Sequence, residues 1–121
     1  MLLRIDASVH ENGSLLTVSG EIDLDTVDLL RAAVTEILDE QSGDLIIDLD
    51  DVGYIDSAGL GVLVGTYNRL AESQRSLCIR CSSSRVLRLF EITGLTEVLH
   101  IDRTTREARA VSDERSRSVS V

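Results

Sequence analysis

Residues Asp56-Ser57-Ala58-Gly59-Leu60-Gly61 put a carboxylate, a hydroxyl and two glycines into six positions. They follow the run I-I-D-L-D-D-V-G-Y-I and precede apolar residues at helical spacing. A strand-to-helix turn of this composition suits four kinds of chemistry. The serine can be a nucleophile, part of a phosphate-cradling loop, or a residue that itself receives phosphate. It can also simply cap the helix, its oxygen accepting an orphan backbone N–H.

The first two uses lack their partners. A nucleophile elbow needs glycine two residues before the serine, and position 55 is isoleucine. A Ser–His–Asp arrangement needs a histidine base. Only His10, beside a turn signal, and His100, in the last strand pattern, are present. A P-loop needs a lysine, and all twelve basic residues are arginine. Asp50, Asp51 and Asp56 would repel a bound phosphate. The expectation is no catalytic residue and no bound cofactor.

A phosphorylated serine fits better. Phosphate at a helix N-terminus meets free N–H groups and the positive end of the dipole, so the domain tolerates it. It also adds about −1.5 to −2 charges beside Asp56. A partner packed on that turn would meet repulsion and desolvation, and each 1.4 kcal/mol lost weakens binding tenfold. Gly59 and Gly61 would let a partner's backbone approach closely.

Composition narrows the partners. The chain has 121 residues, 43% apolar, with a net charge of −9, which disfavours nucleic acid. Three aromatics, Tyr54, Tyr67 and Phe90, are too few for base stacking. No apolar run approaches the ~18 residues that span a bilayer, and no signal peptide is evident, so a cytoplasmic, membrane-free protein is expected. Cys78 and Cys81 form a CxxC, but without a second pair there is no metal site. Their strand-like context separates them beyond disulfide reach, so both read as reduced thiols.

The elements that must hold the turn are legible from periodicity. Residues 2–9 and 14–20 read as strands joined by an E-N-G hairpin turn. From Thr26 to Glu40, Val27, Leu30, Val34, Ile37 and Leu38 share one helical stripe, capped by Asp25 or Thr26. Asp44–Leu49 is a buried strand, and a helix follows the D-S-A-G-L-G turn. Leu77–Cys81 is a strand, and Ser82–Ser84 cap a helix that turns Val86, Leu89 and Phe90 inward. Gly94 fits a left-handed C-terminal cap, and Val98–Ile101 is the last strand. The order β-β-α-β-α-β-α-β implies an α/β domain with a mixed four- to five-stranded sheet. Asp23 and Asp56 each end a strand. If those strands are neighbours, both turns share the carboxyl edge, where open α/β sheets place sites.

Residues 103–121 differ from the rest. They hold 3 acids and 5 arginines, a charge of +2, against −11 for residues 1–102. This Arg/Ser-rich extension reads as solvated, at most a short helix followed by disorder, although it is able to dock on an acidic surface.

Three segments together resemble the STAS domain family, and within it the bacterial anti-sigma factor antagonists. They are G20-E-I-D-L-D-T26, I46-I-D-L-D-D-V-G-Y-I-D-S-A-G-L-G61 and V86-L-R-L-F-E-I-T-G-L95. The resemblance covers residues 2 to about 102, a single STAS-like domain. It implies a protein–protein switch rather than an enzyme. The unphosphorylated antagonist would bind an anti-sigma factor, a serine kinase of the histidine-kinase-like ATPase fold, and so release the sigma factor. Phosphorylation of the residue matching Ser57 would end binding, and a PPM-type serine phosphatase would restore it. ATP and Mg²⁺ would belong to the kinase.

The resemblance places Asp23 beside the phosphorylated serine at the binding surface. The expected partner-binding set is Asp23, Thr26, Asp56, Ser57, Ala58, Gly59, Leu60 and Gly61. Simpler roles stand beside it: Asp23 as cap of the first helix, Asp56 as holder of its turn, Leu60 as core. The alternative is a STAS scaffold subunit of a stress-sensing or transport complex without a phosphorylation switch. A monomer or a weak dimer through the exposed first strand is expected.

Overall fold

The computed structural model describes residues 2–109. The elements are β1 (Leu3–His10), β2 (Gly13–Ile22), α1 (Val27–Glu40), β3 (Asp44–Ile55), α2 (Ser57–Glu72), β4 (Leu77–Arg80), α3 (Ser84–Ile92) and β5 (His100–Asp102), with a 3-10 turn at Leu95–Glu97. One five-stranded sheet runs in the order β1-β2-β3-β4-β5. β1 and β2 are antiparallel, and every later pair is parallel. The sheet is therefore mixed, as the alternation of strands and helices requires.

Each strand contributes alternate residues to one core. Leu16 and Val18 of β2, Leu45, Ile47 and Leu49 of β3, and Ile79 of β4 are almost wholly buried. Leu30 of α1, Leu63 and Leu70 of α2 and Phe90 of α3 close over them. Each such side chain contributes about 1.5–3 kcal/mol by leaving water. Gly94 ends α3 with φ 76, the left-handed conformation that glycine adopts without penalty.

β3 is longer than the sequence pattern suggests. The expected strand stops at Leu49, where two successive aspartates break the alternation. The observed strand runs to Ile55 because two register shifts absorb the break. Thr17 pairs with Asp48 but Ser19 with Asp51, and Gly20 pairs with Val52 but Glu21 with Tyr54. Each shift inserts one residue into β3, and one residue reverses which face is buried. The core phase thus passes from Leu49 to Val52 and back to Ile55. β5 starts at His100 rather than Val98. Val98 lies in the turn after the 3-10 segment, its N–H donating to the Leu95 carbonyl, and is exposed.

The start of the C-terminal extension is docked, not solvated. Residues 106–109 form a helical turn. Arg106 pairs with Asp51 at 3.1 Å. Arg109 donates to Asp50 and lies 3.8 Å from Asp48, with all three side chains largely buried. Burial alone would raise the Asp50 carboxyl, but hydrogen bonds from Arg109 and Ser82 hold it below its ordinary value. The rest of the extension, including the expected disorder, lies outside the described residues.

Candidate functional site

The parallel pairing of β2 and β3 decides the geometry. Ile22 and Ile55 are register partners at the ends of their strands. The Asp56 N–H donates to the Ile22 carbonyl at 3.1 Å. The turn that begins at Asp23 and the turn that carries Asp56 and Ser57 therefore leave the sheet side by side at its carboxyl edge.

Each turn is organised by its aspartate. Asp56 is the N-cap of α2, and its Oδ1 accepts from Ala58 N–H at 3.0 Å and Gly59 N–H at 3.2 Å. The capping role suggested for Ser57 thus belongs to Asp56. The physical reason is position: Ser57 is already helical, and a carboxylate complements the helix dipole better than a hydroxyl. Ser57 stands exposed on the first turn. No side chain caps α1 as expected of Asp25 or Thr26; Asp23 instead holds the turn that leads into it. Its Oδ1 accepts from Asp25 N–H at 2.9 Å and Thr26 N–H at 3.0 Å. The Thr26 hydroxyl donates to the Glu21 carbonyl at 2.7 Å and accepts from Asp23 N–H at 3.0 Å. Thr26 makes no side-chain cap bond to the helix.

The eight residues singled out in the sequence cluster here but divide by depth. Ser57 and Gly61 are exposed, and Asp23, Asp56 and Ala58 are half-buried. Thr26, Gly59 and Leu60 are buried. Gly59 serves the fold rather than a visitor. A Cβ there would meet Ile22 Cγ2 and Ile55 Cγ1 at 2.6 Å, so the glycine lets α2 press on both strand ends. At Gly61 nothing lies within 4 Å of such a Cβ, leaving the approach from solvent open.

Sequence reasoning missed the apolar surroundings. Leu24, next to Asp23, is 77% exposed, and Tyr54, two residues before Asp56, is 48% exposed. Ser57 separates two grooves. One lies between α1 and α2, where Arg31, Thr35, Gly61 and Arg69 contribute to its walls. The other, largely apolar and about 420 Å³, lies between α2 and α3, with Tyr54, Leu60, Arg85 and Leu89 among its walls. Tyr54 and Leu24 carry no pattern that marks them in the sequence. They are visible only once the two turns are adjacent.

Neither histidine joins the site. His10 sits at the hairpin, and His100 pairs through Cys78 to Ile46, near the other end of β3. Cys78 and Cys81 are free, and burial pushes both thiols up from their ordinary value, which favours the protonated thiol over the nucleophilic thiolate. Among the described residues no group of His, Cys, Asp and Glu is arranged to hold a metal ion. No helix among them is long and apolar enough to cross a membrane.

The STAS domain profile matches residues 4–108. This chain belongs to the STAS domain family. The STAS domain here is 41% identical over 101 residues to the anti-sigma-B factor antagonist of Bacillus subtilis (strain 168), covering 84% of this chain and 92% of that protein. It is 36% identical over 105 residues to the anti-sigma-B factor antagonist of Staphylococcus aureus (strain NCTC 8325 / PS 47), covering 87% and 97%. Its fold matches the crystal structure of an anti-sigma factor antagonist from Mycobacterium paratuberculosis with a TM-score of 0.78, at 27% identity, over 91% of this chain and 93% of that one. The STAS match reaches beyond residue 102 to include Arg106 and its ion pair with Asp51.

Proposed function

We propose that this STAS domain is an anti-sigma factor antagonist, a regulatory binding protein rather than an enzyme. In this reading its carboxyl edge binds an anti-sigma factor, and phosphorylation of Ser57 ends the complex. The observation that carries the reading is the exposure of Ser57 on the first turn of α2, one residue past the Asp56–Ile22 hydrogen bond that sets Asp23 alongside. The names of the B. subtilis and S. aureus relatives support the choice of partner.

The geometry makes the switch local. A phosphate on Ser57 meets the α2 N-terminus, which favours negative charge. The Asp56 carboxylate already occupies the Ala58 and Gly59 N–H groups. The phosphate therefore stays outward and adds its charge to the surface formed with Asp23 and Asp56. Binding rests on the exposed Leu24, Tyr54, Ser57 and Gly61, with the half-buried Asp23 beside them. Buried Thr26, Gly59 and Leu60 set their positions. The kinase is the anti-sigma factor itself, with a histidine-kinase-like ATPase fold, and a PPM-type phosphatase reverses the step, in the cytoplasm.

The test uses the purified chain, a candidate anti-sigma kinase and ATP. A single phosphoryl increment in intact mass, absent from Ser57→Ala, is the expected result. Ser57→Asp weakens binding at least tenfold, while Ser57→Ala binds like wild type. Stable binding with no phosphoryl transfer, and equal binding by Ser57→Asp, would replace the switch with a STAS scaffold or adaptor.

A further inference from the structure

The far edge of the sheet carries a second surface. β1 is an edge strand of eight residues, paired only with β2 among the described residues. Alternate residues of such a strand turn their N–H and C=O outward, an open template for another strand. The strand has no proline, no lysine and no bulge against β2, and its two exposed charges, Arg4 and Asp6, are of opposite sign. Its two faces differ. Leu3, Ile5, Ala7 and Val9 line a groove of about 550 Å³ against α1, together with Leu29 and Ala33. Val9 and Leu29 are more than half exposed. Arg4, Asp6, Ser8 and His10 occupy the opposite face.

We infer that β1 pairs with β1 of a second copy of this chain, antiparallel and centred on Ile5. Two constraints select this register. A twofold axis through a continuous sheet keeps each face on its own side, so only same-face residues stand opposite one another. The axis then passes through a residue. Centring on Arg4 would oppose two arginines, and centring on Asp6 would oppose two aspartates, which is unfavourable for directly facing pairs. Centring on Ile5 sets Arg4 against Asp6 of the second copy, twice. Among the described residues Arg4 and Asp6 pair with each other, at 3.0 Å, as well-exposed side chains of one strand. The same register sets Leu3 against Ala7 and brings together the two grooves, which are mostly apolar but also carry Glu36 and Glu40. A centre on Ala7 gives neither ion pair.

The contact is argued from β1 and α1 residues alone and uses none of the residues proposed for anti-sigma binding. The dimer and the partner switch therefore stand or fall separately.

Sedimentation of the full chain over a range of concentrations tests the inference. The expected result is a concentration-dependent dimer. Arg4→Asp opposes two aspartates across the axis at both contacts and weakens the dimer about tenfold or more. Asp6→Arg does the same with arginines. The exchange Arg4→Asp with Asp6→Arg restores dimerisation, because the opposed charges are again opposite. Circular dichroism confirms that each variant keeps the fold. A wild-type chain that stays monomeric overturns the inference. So does a dimer indifferent to the single changes, or one that the double exchange fails to restore.

Discussion

The Asp56 N–H donates to the carbonyl of Ile22 at 3.1 Å, joining the exits of β3 and β2. Through that bond a residue far along the chain finds Asp23. The aspartates on either side then organise their own turns, Asp23 toward α1 and Asp56 toward α2. The exposed serine makes none of the hydrogen bonds that hold this framework.

Capping by Asp56 is measurable apart from binding. Asp56→Ala leaves two N–H groups without their acceptor and costs about 1 kcal/mol. Ser57→Ala changes stability by less than about 0.5 kcal/mol. Urea unfolding of both variants checks this. Equal losses would return the cap to Ser57.

The two glycines of the turn separate in the same assay. Gly59→Val forces a branched side chain against Ile22 and Ile55, two stiff β-branched residues, and costs about 2–3 kcal/mol. Gly61→Ala meets open space and gains about 0.5–1 kcal/mol from helix propensity. If Gly61 is a contact, the same alanine weakens anti-sigma binding while raising Tm. Calorimetry alongside a binding titration reads both.

Arg109 is the cation of a buried cluster. Arg109→Ala leaves Asp48 and Asp50 together without it and costs about 2–3 kcal/mol near neutral pH. The pH dependence follows from Asp50, whose folded value lies below its ordinary one. On acidification the unfolded chain takes up that proton first. Asp50 therefore stabilises the fold above the ordinary carboxylate range, and the gain is lost as pH falls through the depressed folded value. Without Arg109 its hydrogen bond and charge no longer hold the carboxyl down, the folded value rises, and acid unfolding begins at a higher pH. Acid titrations of wild type and variant, followed by circular dichroism, test the sign.

Ser14 offers a contrast. It is buried in β2, and its hydroxyl has no hydrogen-bond partner among the described residues. Ser14→Ala removes an unsatisfied polar atom and stabilises the chain by about 0.5–1 kcal/mol. A lower Tm would show that the hydroxyl has a partner in solution.

The sequence by itself determined the element order, the stripe of α1, the left-handed stop at Gly94 and the D-S-A-G-L-G turn at the head of α2. These are local properties: side-chain periodicity, glycine's freedom and turn chemistry act within a few residues, and the chain states them openly. Only the tertiary structure decided the rest. The two insertions that carry β3 past Asp50 and Asp51 are meaningful only against β2, because a register shift needs a partner strand. Gly59 read as an opening for a partner until Ile22 and Ile55 stood against it. The cap passed from Ser57 to Asp56, since one residue of helix phase decides which oxygen reaches the amides. Arg109 read as solvated because its acids lie more than fifty residues earlier in the chain. Burial and charge pairing across such separations are made by the fold, and no local pattern records them.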